Sequence, residues 1–189
     1  PETEELVEWI IESQKSKVQS QKLEILDIGT GTGCIPISLK TNLLQANVSA
    51  IDVSEKALEV AKRNAQSNKV EVNFIQTNIL EVEDLNQHFD IIVSNPPYVR
   101  NLEKQEIKKN VLDYEPHLAL FVEDTDALLF YRKIAQLALE NLSPNGLLFF
   151  EINQYLGKET VELLENLGFK NIELKKDIYG NDRMIKCKK

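Results

Sequence analysis

The sequence is poor in the residues that mark special environments. Its 189 residues contain two cysteines, Cys34 and Cys187, and two histidines, His88 and His117. Two distant thiols cannot staple a disulfide scaffold, and no His/Cys pair has metal-ligand spacing, so no metal is expected. The simplest reading is two structural thiols in a reducing, cytoplasmic setting. No apolar run reaches the length of a membrane-spanning helix, so no membrane partner is expected. The acidic N-terminus does not read as a secretory leader. Basic residues form no block outside the tail from Lys186 to Lys189, and net charge is −8. That balance disfavours tight binding of naked nucleic acid, which needs a basic face, and no direct nucleic-acid partner is expected. Pro1 is not an initiator methionine, so the chain is expected to begin inside a longer protein.

What remains is an ordinary globular composition, long enough for about one domain with a buried core. The acidic start, Pro1-Glu2-Thr3-Glu4-Glu5, leads into an amphipathic helix running to about Ser13, with Leu6, Val7, Ile10 and Ile11 on one face. These acids either simply open a helix or add to an active site. A strand, Leu23 to Ile28, then runs into Gly29-Thr30-Gly31-Thr32-Gly33, and a helix from Cys34 to Leu44 follows. Strand, glycine loop and helix let backbone approach a nucleotide-like ligand closely. The G-x-G-x-G spacing does not meet the dinucleotide fingerprint G-x-G-x-x-G, which argues against an NAD-dependent oxidoreductase. A second strand, Asn47 to Ile51, ends in Asp52, about 20 residues past the loop, where an acid accepts hydrogen bonds from ribose hydroxyls. Ser54 caps a helix over 55–67. A third strand, Val70 to Gln76, leads to Asn78 and Ile79, placed to meet a base amino group and to cover its ring. His88 lies in an acidic surface segment.

The run Phe89-Asp90-Ile91-Ile92-Val93-Ser94 reads as a central parallel strand, apolar because both faces are covered. It breaks into Asn95-Pro96-Pro97-Tyr98. Two prolines cannot continue a ladder, so a stiff loop is expected at the carboxyl end of a central strand, where open α/β sheets bind ligands. The polar stretch 100–110 and residues 113–121 read as a cover over that edge. A helix from Ala127 to Leu142, a Ser143-Pro144-Asn145-Gly146 turn, a strand from Leu147 to Ile152, a helix from Gly157 to Leu167 and two final strands complete the chain. The pattern predicts an α/β fold, mostly parallel with one late antiparallel strand and helices on both faces.

Asp27 to Gly33, Asp52 and Asn95 to Tyr98 together resemble the class I S-adenosylmethionine-dependent methyltransferases that act on planar nitrogen. Pro1 to Glu4, Asn95 to Val99 and Glu115-Pro116-His117-Leu118-Ala119-Leu120 further resemble the release factor glutamine N5-methyltransferases of the HemK/PrmC type. The similarity covers essentially all 189 residues. It implies a seven-stranded Rossmann-like catalytic domain and S-adenosyl-L-methionine as methyl donor, with S-adenosyl-L-homocysteine as product. The implied reaction is methylation of the glutamine amide in a Gly-Gly-Gln motif of peptide chain release factors. By the same resemblance Gly29, Thr30, Gly31, Thr32 and Gly33 line the methionine and ribose. Asp52 holds the ribose, Asn78 and Ile79 flank adenine, and Asn95 also borders the donor. Asn95, Pro96, Pro97 and Tyr98 bind the substrate amide, with Asn95, Pro96 and Tyr98 catalytic. The sequence departs from the family at Asn78 (usually Asp), at His117 (usually Arg) and at Val122 to Asp126, which lacks the usual glycines. The family's helical N-terminal docking domain is not expected within residues 1–189.

The motif suits the chemistry. An amide nitrogen is a poor nucleophile whose NH2 offers two donors. An Asn95 side-chain oxygen and a Pro96 carbonyl can accept both, while Tyr98 packs on the amide plane. An exocyclic adenine NH2 presents the same two donors, so an N6-adenine methyltransferase is the competing enzyme. A donor-binding module without turnover is the competing non-enzyme. The acidic charge and the flanking motifs favour glutamine.

Overall fold

The computed structural model describes residues 2–14, 22–97 and 126–189. The expected cover, His117, the segment 115–120 and Tyr98 lie outside the described residues. Among those described, the elements are α1 (Glu2–Gln14), β1 (Glu24–Ile28), α2 (Cys34–Asn42), β2 (Asn47–Asp52), α3 (Glu55–Ser67), β3 (Asn73–Gln76), a short 3-10 turn (Ile79–Glu81), β4 (Phe89–Ser94), α4 (Leu129–Asn141), β5 (Leu142–Glu151), α5 (Gly157–Leu167), β6 (Lys170–Lys176) and β7 (Asp182–Lys188).

The seven strands form one sheet in the order β3-β2-β1-β4-β5-β7-β6. All neighbouring pairs are parallel except those made by β7, which runs antiparallel to both β5 and β6. The predicted late antiparallel strand is therefore present. Strand order reverses direction between β1 and β4, which opens a crevice at their carboxyl ends.

Alternation along the central strands feeds two apolar layers, as period-2 geometry requires. Leu26, Ile92, Leu148 and Phe150 point into one layer with α4 and α5. Ile25, Ile91, Val93 and Phe149 point into the other with α1 and α2. The consecutive Phe149 and Phe150 each meet an aromatic edge-to-face on their own side. Phe149 meets Trp9 of α1 at 5.6 Å, and Phe150 meets Tyr131 of α4 at 5.2 Å. Such pairs add about 1 kcal/mol beyond area burial. Burial of Trp9 makes α1 part of the core, beyond the face expected from Leu6, Val7 and Ile10.

Several boundaries differ from expectation. β3 starts at Asn73 rather than Val70, because the Val70 N–H closes the end of α3 on the Ala65 carbonyl. α2 ends at Asn42, where the Leu43 N–H still bonds Leu39 but its backbone leaves the helical region. Ser143 to Gly146 falls within β5, as an irregularity opposite β4 between Phe89 and Ile91. Cys187 is buried, and burial pushes its thiol up to about 12. Cys34 is exposed, which corrects the reading of two structural thiols.

Candidate functional site

The glycine loop leaves β1 with Gly29, Gly31 and Gly33 at φ of +75°, +55° and +83°. Only glycine takes that region without strain, so alternate residues of the loop can turn back on themselves. The Gly29 and Thr30 N–H groups both donate to the Ile51 carbonyl, at 2.9 and 3.0 Å, which fastens the loop to β2. Asn64 of α3 donates to the Thr32 carbonyl at 2.9 Å. A Cβ on Gly33 would stand 3.0 Å from the Ala61 Cβ and 3.1 Å from Ile37 Cδ1, so this glycine lets α2 and α3 close on each other. Gly29 and Gly31 have nothing within 4 Å of an added Cβ. One glycine serves packing, and the other two border open space.

Asp52, at the end of β2, faces that space and organises it. One carboxylate oxygen accepts from the Gly31 N–H and the other from the Ser54 N–H, each at 2.8 Å. A carboxylate has about four acceptor positions, so lone pairs remain for two ligand hydroxyls. Asp52 thus shapes the loop and keeps acceptor capacity beside it.

Asp27 was not among the residues singled out for a role. It is fully buried one residue before the end of β1, and neither carboxylate oxygen has a hydrogen-bond partner among the described residues. Burial raises its pKa from 3.8 to about 7; the adjoining Thr30 hydroxyl offsets part of this and the Asp52 charge adds to it. Thr30 Oγ1 is buried and equally unpartnered, so the two side chains influence each other without a hydrogen bond of normal geometry. A lone buried carboxyl beside an open cradle is a partner for a cationic group. The available signal was a charged residue inside an apolar strand of a glycine-loop motif.

The second wall is the end of β4. Register pairs Ile28 with Ser94, so Gly29 and Asn95 leave neighbouring strands side by side. The buried Ser94 hydroxyl donates to the Ile28 carbonyl at 2.6 Å and pins the two strand ends together. Asn95 is half-buried, Pro96 buried and Pro97 half-buried. The structure therefore brings the loop 29–33, Asp52 and Asn95-Pro96-Pro97 to one edge.

Asn78 and Ile79 follow β3 as expected, but their side chains are committed. Asn78 caps the 3-10 turn, accepting from the Leu80 N–H at 3.2 Å and donating to Glu81 at 2.8 Å. Ile79 packs into the core layer with Ile28 and Ile51.

The N-terminal acids also reach this edge. Thr3 donates to Glu151, the buried last residue of β5, at 2.9 Å, and Glu2 pairs with Arg183 of β7 at 3.6 Å. Burial raises the Glu151 pKa, with the Thr3 hydrogen bond partly offsetting it. No group of three or more His, Cys, Asp or Glu able to hold a metal occurs among the described residues. No described helix is long and apolar enough to cross a membrane.

Residues 9–117 match the methyltransferase small domain. The chain is 72% identical, over 98% of its length, to a release factor glutamine methyltransferase of Flavobacterium psychrophilum, and spans 65% of that relative. It is 42% identical over its whole length to the protein of that name from Lactococcus lactis, of which it spans 67%. Among solved structures, a Thermus thermophilus 16S rRNA methyltransferase in complex with AdoMet and guanosine superposes with a TM-score of 0.70 at 20% identity, covering all of this chain and 43% of that one. That likeness speaks for the fold, and the two sequence relatives for the family. The glycine loop, the Asp52 carboxylate and an Asn-Pro-Pro loop meet on one sheet edge, and these identities place the chain in the release factor glutamine methyltransferase family.

Proposed function

We propose that the chain transfers a methyl group from S-adenosylmethionine to the side-chain amide nitrogen of a glutamine, in the Gly-Gly-Gln motif of peptide chain release factors. The observation that carries this is the Asn95-Pro96-Pro97 loop, held by the Ser94–Ile28 bond directly beside the open side of Gly29 and Gly31. When bound, S-adenosylmethionine supplies a sulfonium methyl electrophile. The chain's own residues supply position. Asp52 accepts from the ribose hydroxyls with the lone pairs its loop contacts leave free. Asp27 is fully buried, with both carboxylate oxygens closed to solvent, and bears on the ammonium end through its charge rather than by contact. Asn78 and Ile79 border the adenine through backbone and edge, since their side chains are engaged elsewhere.

On the acceptor side, the Asn95 side-chain oxygen and the Pro96 carbonyl accept the two N–H bonds of the substrate amide. That fixes the amide plane and returns electron density to a nitrogen whose lone pair is otherwise spread into its carbonyl. The prolines keep the accepting carbonyl from swinging, and Tyr98 packs on the amide face. Two reactants held at a set distance and angle account for much of the acceleration, with no general base needed before attack. Relatives bearing the release factor name support the choice of a protein amide over an adenine amine.

The test is Asn95→Ala with labelled S-adenosylmethionine and a release factor. Cofactor affinity by calorimetry is expected to hold while methyl transfer falls by about a hundredfold or more, as for lost positioning groups. Unchanged turnover would remove Asn95 from the mechanism, and label appearing only in adenine-containing DNA would reassign the substrate.

A further inference from the structure

The turn between β6 and β7 spends many hydrogen bonds to hold two large apolar side chains in water. Ile178 is 69% exposed and Tyr179 71% exposed. Yet the backbone beneath them is tied on every side. Asp177 N–H donates to the Asn181 carbonyl and Gly180 N–H to the Asp177 carbonyl, both at 2.9 Å. The buried Asp177 carboxylate accepts from the Tyr179 and Asn181 N–H groups at 2.9 Å and pairs with Arg183 at 3.4 Å. These contacts hold its carboxyl below the usual range although burial opposes them. From outside the hairpin, Glu5 of α1 accepts from the Ile178 N–H at 3.3 Å. A turn needs none of this to reverse the chain, and a polar pair at its tip would be better solvated.

The position gives the tip a role. β6 runs parallel to β5, so the turn lies on the same sheet edge as the glycine loop and Asn95. At about 4.8 Å per strand, it stands roughly 10–14 Å from β4. Tyr155, 57% exposed, rises from the same edge just after β5. The flanking α5 packs its Gly157 within 3.2 Å of the Asp182 side chain, were a Cβ present. The hairpin is also the basic part of an acidic chain. Residues 170–189 hold seven Lys or Arg against three Asp or Glu, a charge of +4, but Lys170, Lys188 and Lys189 lie at the end of the strands away from the turn, and beside the turn Lys176 pairs with Asp182 and Arg183 with Asp177.

We infer that the β6–β7 turn, through Ile178 and Tyr179 with Tyr155 beside them, is a docking surface for the polypeptide that presents the amide to Asn95. The inference rests on the protein-substrate reading above. Rigid, exposed aromatic and aliphatic side chains make contacts at little entropic cost, which suits a protein surface. The exposed tip carries apolar groups where a phosphate backbone would call for cations, and this favours protein over nucleic acid.

The experiment compares the native chain with an Ile178→Ser/Tyr179→Ser variant, on an intact release factor and on a short peptide containing Gly-Gly-Gln. Leu44→Ser, another exposed apolar position but on the opposite edge, is the control. In the double variant KM for the release factor is expected to rise by about tenfold or more, as for lost interface anchors. Turnover number and peptide kinetics are expected to stay unchanged, as is Leu44→Ser on both substrates. Equal loss on the peptide would show that the turn only supports the site, and no loss on either substrate would show that nothing docks there. Either result overturns the inference. Binding of a single-stranded RNA oligonucleotide that the double variant abolishes would assign the surface to nucleic acid and overturn it too. A native chain that binds S-adenosylmethionine but methylates neither substrate would overturn the substrate reading and this inference with it.

Discussion

Alanine at Gly31 and alanine at Gly33 separate two duties of one loop. Both positions have left-handed backbone, at φ of +55° and +83°, which costs a residue with a Cβ about 1–2 kcal/mol. In both, alanine also restricts the unfolded chain and recovers about 0.4–1 kcal/mol. At Gly31 nothing else happens, because no atom lies within 4 Å of the new methyl. At Gly33 the methyl meets Ala61 Cβ at 3.0 Å, Ile37 Cδ1 at 3.1 Å and the Ala61 backbone at 3.3 Å. Backbone cannot yield cheaply, so overpacking adds about 1–3 kcal/mol. Gly31→Ala is therefore expected within about 1 kcal/mol of the native chain, and Gly33→Ala to lose about 2–4 kcal/mol. For a chain of this size that is a melting-temperature fall of about 6–12 °C for Gly33→Ala and under about 3 °C for Gly31→Ala. Calorimetry with S-adenosylmethionine should rank them the other way. The Gly31 methyl enters the space assigned to the ligand and should weaken binding by about tenfold or more, about 1.4 kcal/mol. A Gly31→Ala protein that binds S-adenosylmethionine as well as the native chain would refute the placement of the ligand over the loop. An unchanged melting temperature in Gly33→Ala would refute the packing account.

Asp52→Ala should lower both stability and donor affinity, because the same carboxylate holds the Gly31 and Ser54 N–H groups and faces the ribose. About 1–2 kcal/mol is expected in each, since the residue is only half-buried, and calorimetry and thermal melts read them separately. Asp27→Asn should change the pH dependence. A carboxyl raised from 3.8 to about 7 in the folded chain favours folding fully below about pH 4, and that contribution is lost as pH rises through 7. Its full size is on the order of 4 kcal/mol, so the asparagine variant should gain stability relative to the native chain at pH 8 and little at pH 4, by chemical denaturation. Donor affinity in the native chain should rise with pH up to about 7, as Asp27 gives up its proton and its charge favours a cation. A flat profile would remove Asp27 from the ammonium site.

Much of this protein is written locally. The apolar run from Phe89 to Val93, broken by two prolines, announces a central strand ending in a stiff loop. The glycine loop between a strand and a helix, and the acid after the next strand, announce the cradle. The α3 and α5 boundaries match because Ser54 caps one helix and Gly168, at φ of +94°, stops the other. Both are single-residue signals that need no partner from elsewhere in the chain. Tertiary structure decided what depends on groups far apart in sequence. Asp27 becomes a raised, unpartnered carboxyl only when neighbouring strands exclude water from it. Asn78 is free or committed according to whether Glu81 turns back to meet it, and Ile79 covers a ligand or a core according to how β3 lies against β2. Gly33 differs from Gly31 only because Ala61 of α3 comes within contact. The acids at the N-terminus read equally well as a helix start, until Glu151, Arg183 and the β6–β7 turn arrive from the other end of the chain. Backbone propensity acts over a few residues and is legible there, whereas desolvation and contact are properties of the assembled sheet.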